Sequence, residues 1–244
     1  KKTGKILTHF IPRIIFTTRY KDKLYFIASD YNGLFAIDLA TGKTSLLGKM
    51  EDEILERDFL GNAVAIDKYI VICPFNYKRL HVWDLENKRE VLVKKNIDCG
   101  HKSAYLQQVI QLKDNIILFT PSLGEQGLLF SFEEQGIVGK IDFKSEYKKY
   151  FHKKCKNFTI DNGYKYEKEV YFSVINTNFL CKYDIEKDEI SFIEIEISDN
   201  LWLSVGYNQN LYLLSKSGVI YVWDIELKKI IAQRKVDMDN TRDI

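Results

Sequence analysis

The sequence predicts an all-β fold built from one antiparallel sheet repeated along the chain, and three observations predict it. The first is a strand word, Gly218-Val219-Ile220-Tyr221-Val222-Trp223-Asp224-Ile225, rich in β-branched and aromatic residues and closed by an acid. It recurs as Leu34-Phe35-Ala36-Ile37-Asp38-Leu39, as Leu80-His81-Val82-Trp83-Asp84-Leu85 and as Leu180-Cys181-Lys182-Tyr183-Asp184-Ile185, with a weaker copy in Leu129-Phe130-Ser131-Phe132-Glu133. The second is spacing: the acids at 38, 84, 133, 184 and 224 stand 46, 49, 51 and 40 residues apart, the period of a four-stranded blade. The third is composition: 15 Tyr, 15 Phe and only 3 Pro suit a chain made of strands. Together they predict a β-propeller of four-stranded antiparallel blades, five by count, with six blades or a truncated ring as the alternative. A β-sandwich or barrel has no reason to repeat one word at this period.

Each repeat divides into strands A to D. Blade one takes A at 13–20, B at 23–28, C at 34–39 and D at 43–47, with Asp22-Lys23 and Thr41-Gly42-Lys43 as tight turns. Blade two takes 62–66, 69–73, 80–85 and 90–93, and Pro74 ends its B strand because proline has no N–H for the ladder. Blade three takes 106–111, 116–120, 128–132 and 137–143; its word carries Glu133 in place of Asp. Blade four takes A at 158–162 or slightly later, then 170–175, 179–185 and 190–197. Blade five takes 201–207, 211–215, 219–225 and 229–236. The blades span roughly 13–48, 61–94, 105–143, 157–197 and 200–236 of a single domain covering 1–244. Lys5–Phe10 is a further strand candidate, ring-closing or part of an extra blade. Between blades three and four, Lys144–Lys156 holds six Lys against one Glu, the one strongly basic run, with a short helical turn expected.

The acids that close the words are expected to accept hydrogen bonds from backbone N–H groups of the C–D turns, as Asp does in turn contexts. Trp83, Tyr183 and Trp223 are expected between blades. Charge is balanced, with 36 basic and 34 acidic residues, so no net footprint for nucleic acid arises. No apolar run approaches the ~18 residues of a membrane span, and no secretory signal stands in the sequence. The four cysteines, Cys73, Cys99, Cys155 and Cys181, are widely and irregularly spaced. They read as reduced thiols of a cytoplasmic protein, with secretion after signal removal as the alternative.

Two stretches carry a family resemblance. Leu24-Tyr25-Phe26 followed by Asn32-Gly33-Leu34-Phe35-Ala36-Ile37-Asp38-Leu39-Ala40-Thr41-Gly42-Lys43 resembles quinoprotein-like and kelch-like blades. The Val-Trp-Asp of blades two and five resembles WD-repeat blades. The Gly-His pair of WD-repeat blades does not recur from copy to copy, and the paired glycines of kelch blades are missing, so no single family is assigned. WD-repeat and kelch resemblance implies protein-binding scaffolds. Quinoprotein resemblance would imply a redox cofactor, for which no matching ligand set is found, so no cofactor is expected.

Function is expected on the face where B–C loops meet D–A connections. The candidate binding residues there are Tyr31, Asn32, Phe75, Asn76, Tyr77, Arg79, His101, Tyr105, Tyr150, His152 and Trp202. Arg57, Phe59, Lys102, Glu125, Gln126, Asn176 and Asn178 surround them. Exposed aromatics beside Arg and Asn give large contact area at low entropic cost. A protein or carbohydrate ligand is the expected partner. Cys99-Gly100-His101 and His152–Cys155 lack a zinc-finger spacing, so no metal is expected. The basic run, with Tyr147, Tyr150 and Phe151 interleaved, suits a solvated loop better than a phosphate grip. No Gly-x-Ser-x-Gly elbow, phosphate loop or His-Glu-x-x-His is present, and Asp161 is the one clear acid within an A strand. The expected role is therefore a non-catalytic binding module. The alternative is a carbohydrate-active propeller that binds sugar or hydrolyses a glycoside.

Overall fold

The structure is a computed structural model and describes residues 14–28, 33–50, 60–74, 80–94, 97, 106–121, 126–151 and 158–236. Sheet one consists of β1 (Ile14–Tyr20), β2 (Lys23–Ala28), β3 (Gly33–Asp38) and β4 (Thr44–Lys49). Sheet two consists of β5 (Leu60–Ile66), β6 (Tyr69–Pro74), β7 (Leu80–Asp84) and β8 (Arg89–Lys94). Sheet three consists of β9 (Leu106–Lys113), β10 (Ile116–Pro121), β11 (Gly127–Ser131) and β12 (Gly136–Ile141), followed by the helix α1 (Phe143–Phe151). Sheet four consists of β13 (Tyr164–Tyr166), β14 (Glu169–Ser173), β15 (Phe179–Asp184) and β16 (Glu189–Glu194). Sheet five consists of β17 (Leu201–Tyr207), β18 (Asn210–Ser215), β19 (Val219–Asp224) and β20 (Lys229–Lys235). Every sheet pairs its strands antiparallel in simple chain order, which is the blade of a propeller, five times over. The strand expected at Lys5–Phe10 lies outside the described residues.

The chain divides into two compact units, Lys1–Lys95 and Asn96–Ile244. In the first, Tyr25, Ile27, Leu34 and Ala36 of blade one pack against Ile70, Ile72 and Trp83 of blade two. In the second, one core joins Ile110, Leu112 and Leu118 of blade three to Phe172, Cys181, Tyr183 and Phe192 of blade four. Another joins Tyr171 and Leu180 of blade four to Leu211, Leu213, Tyr221 and Trp223 of blade five. Trp83, Tyr183 and Trp223, the large residues before the word's acid, are all buried as expected. The thiols of Cys73 and Cys181 are buried too, and burial pushes the Cys181 thiol up. Cys99 and Cys155 lie outside the described residues.

The turn chemistry of the words holds in four blades. Asp38 Oδ1 accepts from the backbone N–H of Ala40 (3.1 Å) and Thr41 (2.8 Å). Asp84 accepts from Glu86 and Asn87, Asp184 from Glu186 and Lys187, and Asp224 from Leu227. These backbone donors lead in holding all four carboxyls below the usual Asp range. Four places after each acid the backbone turns to positive φ: Gly42 at 68°, Lys88 at 50°, Asp188 at 55° and Lys228 at 52°.

Blade three corrects the expected register. Its matching αL residue is Gln135, φ 49°, and its matching backbone bond is Phe132 N to Asn115 O (2.9 Å), equivalent to Leu39 N to Asp22 O. The residue in the acid's place is thus Ser131, not Glu133, and Ser131 Oγ accepts from Glu134 N at 3.2 Å. Glu133 instead accepts from Asn115 Nδ2. The true intervals are 46, 47, 53 and 40, and the long one contains α1. Gly127 fills the position held by Leu34, Leu80, Leu180 and Ile220 in the other blades. A Cβ there would lie 2.8 Å from Cε2 of the fully buried Phe143, so the helix's first residue fills the missing side chain's space.

Other boundaries shift for local reasons. The first turn is Lys21-Asp22, because Tyr20 pairs with Lys23 and Lys21 takes φ 54°. Strand D of blade three stops at Ile141, since Asp142 caps α1 by accepting from Ser145 N (2.9 Å). Along α1, Phe143, Tyr147 and Phe151 recur every fourth residue; Tyr147 and Phe151 stack with Phe158, Phe179 and Phe192. Strand A of blade four begins at Tyr164, preceded by an isolated bridge from Ile160 to Val174.

That delay belongs to a feature of every blade. Near its start, each A strand carries one extra residue against its B strand: between Ile14 and Thr17, Leu60 and Ala63, Leu106 and Gln108, Ile160 and Tyr164, and Leu201 and Leu203. Such a bulge re-aims side chains off the ladder. Several bind the next blade's A strand. Gln108 exchanges both amide bonds with the Gly163 backbone, and Asp161 Oδ2 accepts from Ser204 N at 2.8 Å. Ser204 Oγ returns a bond to Asn162 O. In the first unit, Thr18 Oγ1 accepts from Ala65 N. Beside the Asp161 clamp, the Tyr164 ring lies on Gly206, where an added Cβ would overlap Cγ of the ring.

Three outcomes follow for stability. Gly206→Ala should cost about 1–3 kcal/mol in urea melts through overpacking, and Tyr164→Ser should recover part of that loss in the double variant. Asp161→Ala leaves the buried Ser204 N–H without its charged acceptor and should cost about 1.5–3 kcal/mol, with Asp161→Asn milder. The lowered turn carboxyls contribute stability that is fully present above the unfolded Asp value of ~3.9 and is lost as pH falls through the lower folded values. The melting temperature should therefore drop on acidification below about pH 4, less steeply in Asp224→Asn than in the parent.

Candidate functional site

The eleven expected binding residues meet different fates. Tyr31, Asn32, Phe75, Asn76, Tyr77, Arg79, His101, Tyr105 and His152 lie outside the described residues, as do both halves of the Cys/His pairing. Tyr150 is 54% exposed on α1 and leans on Phe151 and Phe192, ring centroids 4.8 and 5.3 Å away. It belongs with the fourth strand of blade four. Trp202 stands apart from it, at the start of the first strand of blade five. On α1 the basic run is partly neutralised, since Lys149 pairs with Glu146 at 2.5 Å.

The face around Trp202 is built by a web of backbone bonds. The connection from blade four to blade five, residues 195–200, is tied to the B–C turns of both blades. Ile195 N donates to Asn178 O (2.8 Å), Leu201 N to Thr177 O (2.7 Å) and Asn176 N to Leu201 O (2.9 Å). Lys216 N donates to Asn200 O (2.9 Å). The B–C loops and the D–A connection do meet here, as the sequence implied.

Two side chains lock the web. Asp199 accepts from its neighbour Asn200 N (2.7 Å) and from Ser217 N (3.0 Å). The Ser217 and Ser215 hydroxyls, with these N–H groups, hold its carboxyl far below the usual range. Asn178 spends its amide on Glu194 Oε1 and Ile195 O. Asn178 is therefore a brace, whereas Asn176, held at φ 66°, is exposed.

Trp202 is the extra residue of its strand's bulge, because the pairing passes from Leu201↔Ser215 to Leu203↔Leu214. As the residue outside the ladder register, it is 53% exposed, so about half of it meets solvent. Asn200, Asp199 and Lys216 were not singled out in the sequence. The polar pair Asp199-Asn200 between Ile197 and Leu201 is the signal that marks them as turn residues. Asp161, the acid with enzymatic promise, is 8% exposed and serves as the inter-blade clamp.

A concavity of about 400 Å³ opens on the opposite turns, between blades four and five. Most of its charges are paired: Lys168 with Glu186, Lys182 with Glu169, and Lys187 with Asp184. Tyr166 donates to Glu226 Oε1 at 2.6 Å, and that bond leads in pushing its phenol up to about 12. Among the described residues no helix is long and apolar enough to cross a membrane.

No protein-family model matches the sequence, and no curated protein does. Solved structures do resemble the fold. Virginiamycin B lyase from Staphylococcus aureus aligns with a TM-score of 0.70 and 11% identity over 94% of this chain and 72% of that one. U3-55K aligns with a TM-score of 0.67 and 9% identity over 95% of this chain and 67% of its own. The computationally designed Ika8 protein gives 0.62 and 14% over 91% of this chain, which spans 61% of the Ika8 chain. At such identities the likeness speaks for fold alone. With five meander sheets in chain order, it makes this chain a β-propeller.

Proposed function

We propose that this chain is a non-catalytic binding module that takes its ligand on the face where B–C turns meet D–A connections. The observation that carries the reading is Trp202. A large aromatic side chain is held half in solvent beside a connection whose backbone is tied to the turns of both blades. An exposed indole on a rigid frame offers contact area with little ordering cost, which is the makeup of a recognition anchor. The mostly paired charges of the opposite concavity supply no such anchor.

The alternative is a carbohydrate-active propeller. Its hydrolytic form works with two carboxylates free to give a proton and to attack or activate water. Asp161 and Asp199, the acids bonded into the clamp and the web, are both engaged by backbone N–H donors. That favours binding over turnover.

A photo-crosslinking residue in place of Lys216, on this face, should capture partners from a native extract. The same residue in place of Leu227, which is 59% exposed on the opposite turns, should not. Capture from Lys216 should fall at least tenfold in Trp202→Ala at unchanged melting temperature. Equal capture from both positions, or indifference to Trp202→Ala, would remove the reading.

A further inference from the structure

The polar groups beside Trp202 narrow the chemistry of what it can hold. Asn176 lies next to it through the Asn176 N to Leu201 O bond, and Asn200 precedes it by two residues. Both side chains are exposed, and among the described residues neither amide makes a hydrogen bond. Each offers two donors and one acceptor carbonyl to a ligand. The carboxylate of this connection, Asp199, has both oxygens engaged, Oδ1 by Asn200 N and Oδ2 by Ser217 N.

We infer that this site recognises a neutral, polyhydroxylated ring: the terminal or internal pyranose of an uncharged glycan. The inference rests on the binding-face reading above and names its ligand class. The solvent-facing side of the indole takes the C–H face of the sugar, which is apolar and flat. Asn176 and Asn200 exchange hydrogen bonds with the equatorial hydroxyls at its edge. An anionic ligand would need cations, and Lys216 is the one basic side chain on this turn. A hydrophobic peptide would need an apolar surface, whereas Asn176, Thr177, Ser198, Asn200 and Ser217 make up the connection and turns that lead to Trp202. The frame is fixed before binding, so amides and indole lose little freedom on contact.

The test uses the whole chain and a printed array of uncharged glycans, followed by saturation-transfer NMR and Trp fluorescence titration with the oligosaccharides that score. Binding by the parent is expected, weakened at least tenfold by Trp202→Ala and only a few-fold by Trp202→Phe. Asn176→Gly, which keeps the positive φ, and Asn200→Ala should each weaken it about threefold to tenfold while the melting temperature stays put. No binding to any uncharged glycan at millimolar concentration would overturn the inference. So would binding that Trp202→Ala leaves intact, or a preference for sialylated or sulfated glycans. A Trp202-dependent protein crosslink that survives enzymatic deglycosylation of the extract, with an empty array, would overturn the glycan while leaving the binding face standing.

Discussion

The structure depends on one constraint: a four-stranded sheet that is apolar on both faces cannot stand in water alone. Strand β7 is buried at every position, and β10 at all but its first. Alternation, which would give one wet face, is absent from these middle strands. Each sheet must therefore be covered by a neighbour. The cores show this directly, since Tyr171 and Leu180 of blade four face blade five while Cys181 and Tyr183 face blade three. Blade-to-blade contact is thus the source of stability, and the hydrogen bonds between neighbouring A strands set how the sheets are aligned.

Those bonds explain why the A strands are irregular. A regular ladder would spend every backbone group and aim side chains only at the two faces. The extra residue in each A strand frees a side chain or peptide to reach sideways. In blade four this places Asp161 on Ser204, 43 residues away, and in blade five the same irregularity turns Trp202 outward. One structural device yields a clamp in one blade and an exposed anchor in the next. The difference lies in side-chain chemistry: a carboxylate can satisfy a buried N–H, and an indole cannot accept one.

The turns tell the complementary story. A short acceptor closes the C strand, and an αL residue follows four places later, in all five blades. The acceptor is Asp in four and Ser in one, and the αL residue is Gly in only one. What is kept is a hydrogen-bond geometry rather than a residue type. A side chain that caps its own turn can be replaced by any short oxygen-bearing one, which is how Ser131 takes the role without resembling an acid.

The amino-acid sequence by itself determined the class of fold, five blades as the first choice over six, the B, C and D strands to within two or three residues, and the capping role of Asp38, Asp84, Asp184 and Asp224. These rest on local periodicity and on bonds spanning two or three residues, which a linear reading can see. Only the tertiary structure decided that Ser131 stands for the missing acid, that Gly127 makes room for Phe143, that Asp161 is a clamp, and that Trp202 stands at the turn web while Tyr150 packs on Phe151 and Phe192. Each of these is settled by groups tens of residues away or on another sheet. A strand's own sequence carries no record of the neighbour that its irregular residue will touch.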